Sequence, residues 1–160
     1  MLRSIKWDEH FLRMALLTSA MSKDPSTRVG AVIVGPDLEV RSTGFNGFPR
    51  NIRDTEERLR DRETKYKLVI HAEVNAILHA ARIGVSVKDC TLYIAAQDAV
   101  NNSVWGGPPC SRCVLDVVQV GITTIVSYPF KNVPSRWSDS LQDSMKLIDE
   151  AKLKYIECSL

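Results

Sequence analysis

No apolar run in this 160-residue chain approaches the roughly 20 residues needed to cross a bilayer, and its start does not show the basic-then-apolar order of a secretory signal. These absences argue against a membrane partner and lead us to expect a cytoplasmic protein. Charge of one sign is equally scarce. With 21 Lys and Arg against 19 Asp and Glu, the formal net charge is +2, well short of the basic patch that marks a nucleic-acid binder. Low-complexity tracts, internal repeats and linkers are missing too, and a composition of 44% hydrophobic and 25% charged residues excludes the disordered and fibrous classes. Four cysteines are too few for a disulfide scaffold in a chain large enough to build its own core. That core should be one domain over residues 1–160, since the length does not suffice for two ordinary domains.

Histidine is scarce as well, and one of the three histidines stands in a chemically meaningful place. His71-Ala72-Glu73 opens a helix-periodic apolar run (Val74, Ala76, Ile77, Leu78, Ala80, Ala81), and Pro109-Cys110-Ser111-Arg112-Cys113 opens another (Val114, Leu115, Val117, Val118). One imidazole and two thiolates make a three-ligand set with soft donors suited to zinc, leaving a fourth tetrahedral position for water. Cys110 and Cys113, three residues apart at a helix start, can face one point, and the helix N-terminus favours their deprotonation. Glu73 is then spare for proton transfer. Taken singly, each motif has a plainer explanation: His-x-Glu as an ordinary helix start, Cys-x-x-Cys as a redox pair or half of a structural zinc knuckle. The redox motif would want flanking aromatic residues, and a structural site would want a fourth ligand. His10, His79, Cys90 and Cys158 show no paired spacing, and the two cysteines are expected to be buried and inert.

Around these motifs the chain resembles the deoxycytidylate deaminases of the cytidine deaminase superfamily. The likeness runs through residues 22–34, then Gly44-Phe45-Asn46-Gly47-Phe48-Pro49, Thr64-Lys65-Tyr66, His71-Ala72-Glu73-Val74-Asn75-Ala76-Ile77 and the Cys110 to Cys113 pair. It implies an α/β, three-layer cytidine-deaminase-like fold, and zinc-dependent hydrolytic deamination of deoxycytidylate (dCMP) to deoxyuridylate (dUMP), which supplies precursor for deoxythymidine triphosphate (dTTP). His71, Cys110 and Cys113 would hold one Zn²⁺ per subunit, and Glu73 would serve as base and then acid. Ala72 would offer backbone hydrogen bonds to the base, Asn46 would bind the sugar hydroxyl, and Thr27 would join the substrate contacts. The resemblance further implies deoxycytidine triphosphate (dCTP) as activator and dTTP as inhibitor, with Mg²⁺ accompanying the triphosphate, at a site around Gly44, Gly47, Pro49 and Asn51. It also implies a homo-oligomer, a hexamer or a dimer. Asn51 replaces a glycine usual in the family, and Asn accepts left-handed backbone almost as Gly does.

A longer departure lies at 97–107, where family members usually step from strand to Pro-Cys directly. We expect this insertion to be a loop beside the site, with Trp105 packing over the base or a neighbouring subunit. Lys23, Arg28, Arg50, Arg53, Arg112 and Lys131 are the candidates for a phosphate contact. The mixed charge run between Arg50 and Lys67 reads more readily as a solvated, salt-bridged segment. Periodicity places helices at 7–21, from 71 to Gly84, from 110 to Gly121 and at 138–151. Strands are expected at 29–34, 38–45, 90–96, 122–127 and 153–158, with a polar loop at 46–67. A hairpin followed by alternating strands and helices gives a mixed sheet of about five strands flanked by helices. Two other functions remain open: deamination of a modified or different-base nucleotide, and a non-catalytic zinc-binding assembly subunit.

Overall fold

The computed structural model describes residues 3–131 and 133–159. Strand β1 (Thr27–Val34) is built of small and β-branched residues and sits at the centre of the hairpin side, paired antiparallel with β2 (Val40–Phe45) and with β3 (Thr91–Asp98). Beyond β3 the sheet turns parallel, to β5 (Thr124–Ser127) and β6 (Lys154–Glu157), giving the order β2-β1-β3-β5-β6. Alternate residues of the strands feed two cores, as the pleat requires. Ala31, Ile33, Leu92, Ile94 and Ile125 face helices α4 (Ala72–Ile83), α5 (Ser111–Gln119) and α6 (Ser135–Glu150) through Ala76, Ala80, Val114, Val117 and Ile148. Val32, Val34, Tyr93, Ala95 and Val126 face α1 (Ile5–Ser19) through Phe11, Leu12 and Ala15. The result is the expected three layers. Asp8 ties α1 down: its carboxylate accepts the Tyr93 hydroxyl at 2.8 Å and pairs with Arg3 at 2.6 Å. Among the described residues no helix is long and apolar enough to cross a membrane.

Two local expectations need correction. Residues 46–67 are not a plain loop but carry α2 (Glu56–Arg60) and α3 (Arg62–Leu68), each started by a side-chain cap: Thr55 accepts from the Arg58 N–H and Asp61 from the Thr64 N–H. Their polar composition concealed them because only Leu59 and Lys65 are buried. The segment 97–107 is likewise not an open loop. β3 runs on to Asp98, whose Oδ1 accepts the N–H groups of Val100 and Asn101 at 2.8 and 3.0 Å, and Asn102 takes φ +60°. The chain then returns as β4 (Val104–Trp105), paired with Ala96 and Gln97, which raises the strand count from about five to six.

Close packing at one glycine seats the helix that carries the first motif. A Cβ on Gly44 would lie 2.4 Å from both the Ala72 carbonyl oxygen and the Ala76 nitrogen, so α4 lies directly on the β2 backbone. Gly84, with φ +75°, ends that helix in the left-handed cap expected of it.

Candidate metal centre and its cavity

His71 is the N-cap of α4 and Cys110 the N-cap of α5, so the converging starts of two helices bring the motifs together, with Cys113 one turn further along α5. The donor atoms of His71, Cys110 and Cys113 all lie within 4.8 Å of one another. His71 Nδ1 is 3.4 Å from Cys110 Sγ and 3.3 Å from Cys113 Sγ. A tetrahedral zinc with ordinary N and S bond lengths would set those edges at about 3.6 Å, so the cluster is already close to the size the ion requires. Its electrostatics favour a bound cation. Hydrogen bonds from Cys113 and then His71 hold the Cys110 thiol well below its usual range, while that thiolate and burial push Cys113 up. The His71 imidazole is raised to about 9, chiefly by its bond to Cys110. One thiolate is favoured and a second is opposed, and a divalent cation removes that conflict. Among the described residues the cluster holds these three donors and no fourth.

Glu73 is 3% exposed, and burial pushes its carboxyl up to about 7. It lines a cavity of about 440 Å³ together with His71, Cys110 and Ala72. As first residue of α4, Ala72 has an N–H without an intrahelical acceptor. Asn46 and Thr27 also line the cavity. The Asn46 side chain accepts from the Val29 N–H at 2.8 Å and donates to the Thr27 carbonyl at 2.9 Å, so one amide hydrogen and one lone pair remain for a ligand. Trp105 reaches the wall from β4, and its indole N–H is buried without a partner.

The other expected residues lie elsewhere. None of Lys23, Arg28, Arg50, Arg53, Arg112 and Lys131 lines the cavity. Lys23 pairs with Asp54 and Arg50 with His79. Gly44, Gly47, Pro49 and Asn51 are also outside it: Gly44 serves the α4 contact, Gly47 exchanges backbone hydrogen bonds with Ile70, the Pro49 carbonyl accepts from Ile52, and Asn51 adopts the anticipated left-handed backbone at φ +67°. The cations that do face the cavity are Arg60, Arg62, Lys65 and Arg136. The first three fall in the charge run read as solvated. Arg136 and its neighbour Trp137, whose ring stands edge-on to the His71 imidazole with centroids 6.4 Å apart, belong to no motif in the sequence. A helix start after proline offers no local sign of which cavity it will meet.

Comparison with known proteins bears on this arrangement. The family model for the cytidine and deoxycytidylate deaminase zinc-binding region matches residues 5–128. This chain belongs to that family. An uncharacterized deaminase from the luxG 3' region of Aliivibrio fischeri is 35% identical over 147 residues, covering 91% of this chain and 89% of its own length. Human deoxycytidylate deaminase is 33% identical over 130 residues, covering 76% of this chain, which spans 64% of that relative. The dCMP deaminase of cyanophage S-TIM5, solved with dCMP and dUMP, has the same fold at a TM-score of 0.73 and 18% identity, with 98% and 99% of the two chains covered. A zinc-dependent deaminase of the cytidine-deaminase fold is thus consistent with both the His/Cys/Cys cluster and the family match.

Proposed function

We propose that this protein hydrolyses dCMP to dUMP and ammonia, with residues 1–160 acting as one deaminase domain. The observation that carries this reading is the three-donor cluster, of which His71 and Cys110 line one cavity together with the buried Glu73 carboxyl. His71, Cys110 and Cys113 would hold the zinc, which when bound would supply the Lewis acidity that makes water a nucleophile near neutral pH. The remaining work belongs to the chain. Glu73 accepts a proton from water and delivers it to N3 as oxygen adds at C4, then takes the proton of the new C4 hydroxyl and gives it to the amine, which leaves as ammonia as the C4–N bond breaks and the C4 carbonyl forms. Burial keeps bulk water from competing for that proton. The Ala72 N–H and the free half of the Asn46 amide orient base and sugar, and Trp105 flanks them.

Family relatives that act on deoxycytidylate support this substrate. The finer expectations extend the proposal: a cytoplasmic homo-oligomer, hexamer or dimer, activated by dCTP and inhibited by dTTP with Mg²⁺, through the segment that includes Gly44, Gly47, Pro49 and Asn51. Ammonia release from a panel of nucleoside monophosphates, free nucleosides and oligonucleotides, with and without each triphosphate, tests the substrate. Turnover greatest on dCMP is expected. Turnover confined to another base or to polynucleotides refutes that choice, and absence of turnover in zinc-replete protein favours an assembly role.

A further inference from the structure

The cations on the cavity wall are not equivalent. Lys65 is spent on Asp24, 3.3 Å away in a buried pair, and Arg60 on Glu56 at 2.9 Å. Arg62 lies over the Tyr66 ring, 5.3 Å from its centroid. Arg136, in the first turn of α6, donates one Nη2 hydrogen bond to the neutral Thr27 hydroxyl at 3.0 Å and has no carboxylate ion-pair partner among the described residues. The acid that feels its charge is Asp98. That carboxyl is held low first by the Asn101 and Val100 N–H groups and more weakly by Arg136 at longer range. A guanidinium carries five donors in a planar fork, so four remain.

The bond to Thr27 also fixes where those donors stand. Thr27 opens β1, and its carbonyl accepts the Asn46 amide. Arg136 is therefore one hydrogen bond beyond the Thr27–Asn46 pair proposed for the sugar. An anion attached to that sugar would find a tethered, unneutralised fork whose geometry suits phosphate.

We propose that Arg136 reads the 5′-phosphate and makes this protein select a nucleoside monophosphate over the free nucleoside. The inference rests on the deaminase reading above and adds the residue responsible for phosphate selectivity. A guanidinium-to-phosphate contact of ordinary strength corresponds to about 10- to 100-fold in affinity.

The test compares wild type, Arg136→Gln, Arg136→Lys and Arg62→Gln as zinc-loaded proteins, on dCMP and on deoxycytidine, with calorimetric binding of dUMP and deoxyuridine alongside. Arg136→Gln should raise KM for dCMP and Kd for dUMP by about 10- to 100-fold, with kcat less affected. Melting temperature and zinc content should match those of wild type, which reports an intact fold. Kd for deoxyuridine, which lacks the phosphate, should move far less than Kd for dUMP, and Arg136→Lys should recover part of the loss as a point charge. If wild type prefers dCMP, yet Arg136→Gln keeps that preference or Arg62→Gln alone removes it, the role of Arg136 is overturned while the substrate reading stands. A wild type that shows no preference for the monophosphate overturns both.

Discussion

Glu73 and His71 are two positions apart and are proposed for different tasks because the helix begins between them. His71, as N-cap, is still in extended backbone and points its ring at the cysteines, whereas Glu73 lies inside the first turn and is 3% exposed. Replacing Glu73 with Gln preserves size and removes the ionisable proton. We expect Glu73→Gln to retain zinc by elemental analysis and to lose at least about 10²- to 10⁴-fold in kcat, the usual worth of a general acid–base group. Undiminished ammonia release would contradict the role. These four motif residues could be read from the chain because metal ligation needs particular atoms at particular short spacings. Arg136 could not: an arginine at a helix start is commonplace, and its meaning comes from Thr27, 109 positions away.

Elements α4 and β2 meet at Gly44 with no room for a methyl group. Gly44→Ala would force the helix carrying His71 and Glu73 off the sheet, because the obstructing atoms are backbone. Thermal or denaturant unfolding should show a loss of about 1–3 kcal/mol, the usual cost of overpacking, together with reduced turnover. Unchanged stability would mean that α4 is not held by this contact. The β3–β4 hairpin makes a second element-level prediction. It presents Trp105 to the cavity and is followed by Gly106, where a Cβ would lie 1.8 Å from the Tyr128 carbonyl oxygen, so the strap has a fixed seat. Trp105→Ala should raise KM for the nucleotide by several-fold, since removing a packed aromatic wall costs on the order of 1 kcal/mol or more; an unaltered KM for every nucleotide tried would remove Trp105 from the site. The longer elements were legible from period and from Gly84 and Gly121. The hairpin and the helices α2 and α3 were not, because their residues are mostly polar and the turns that shape them depend on Asp98, Thr55 and Asp61 side chains bonding to nearby backbone.

The molecule as a whole buries several phenols whose ionisation it opposes. Burial pushes Tyr155 up to about 12 from 10.0, against a weaker lowering by its 2.8 Å hydrogen bond with Ser127, and Tyr93 is raised by burial and by the Asp8 carboxylate that its hydroxyl contacts. An unfolded tyrosine ionises near pH 10 while the folded one keeps its proton. The native state then binds more protons, so stability is intact below pH 10 and declines between pH 10 and about 12. Melting temperature should fall across that window, and less steeply in Tyr155→Phe; equal slopes would show that Tyr155 is not among the groups responsible. The mixed sheet with helices on both faces was itself readable, because strand and helix periodicities alternate and parallel strands need helical crossovers. The chemistry of a zinc deaminase was likewise written into local spacing, since a helix start turns a two- or three-residue separation into convergent donors. The identity of the residues that face the cavity was not, because it depends on the order β2-β1-β3-β5-β6, which lays the start of α6 against the start of β1 and brings together groups that no short stretch of chain relates.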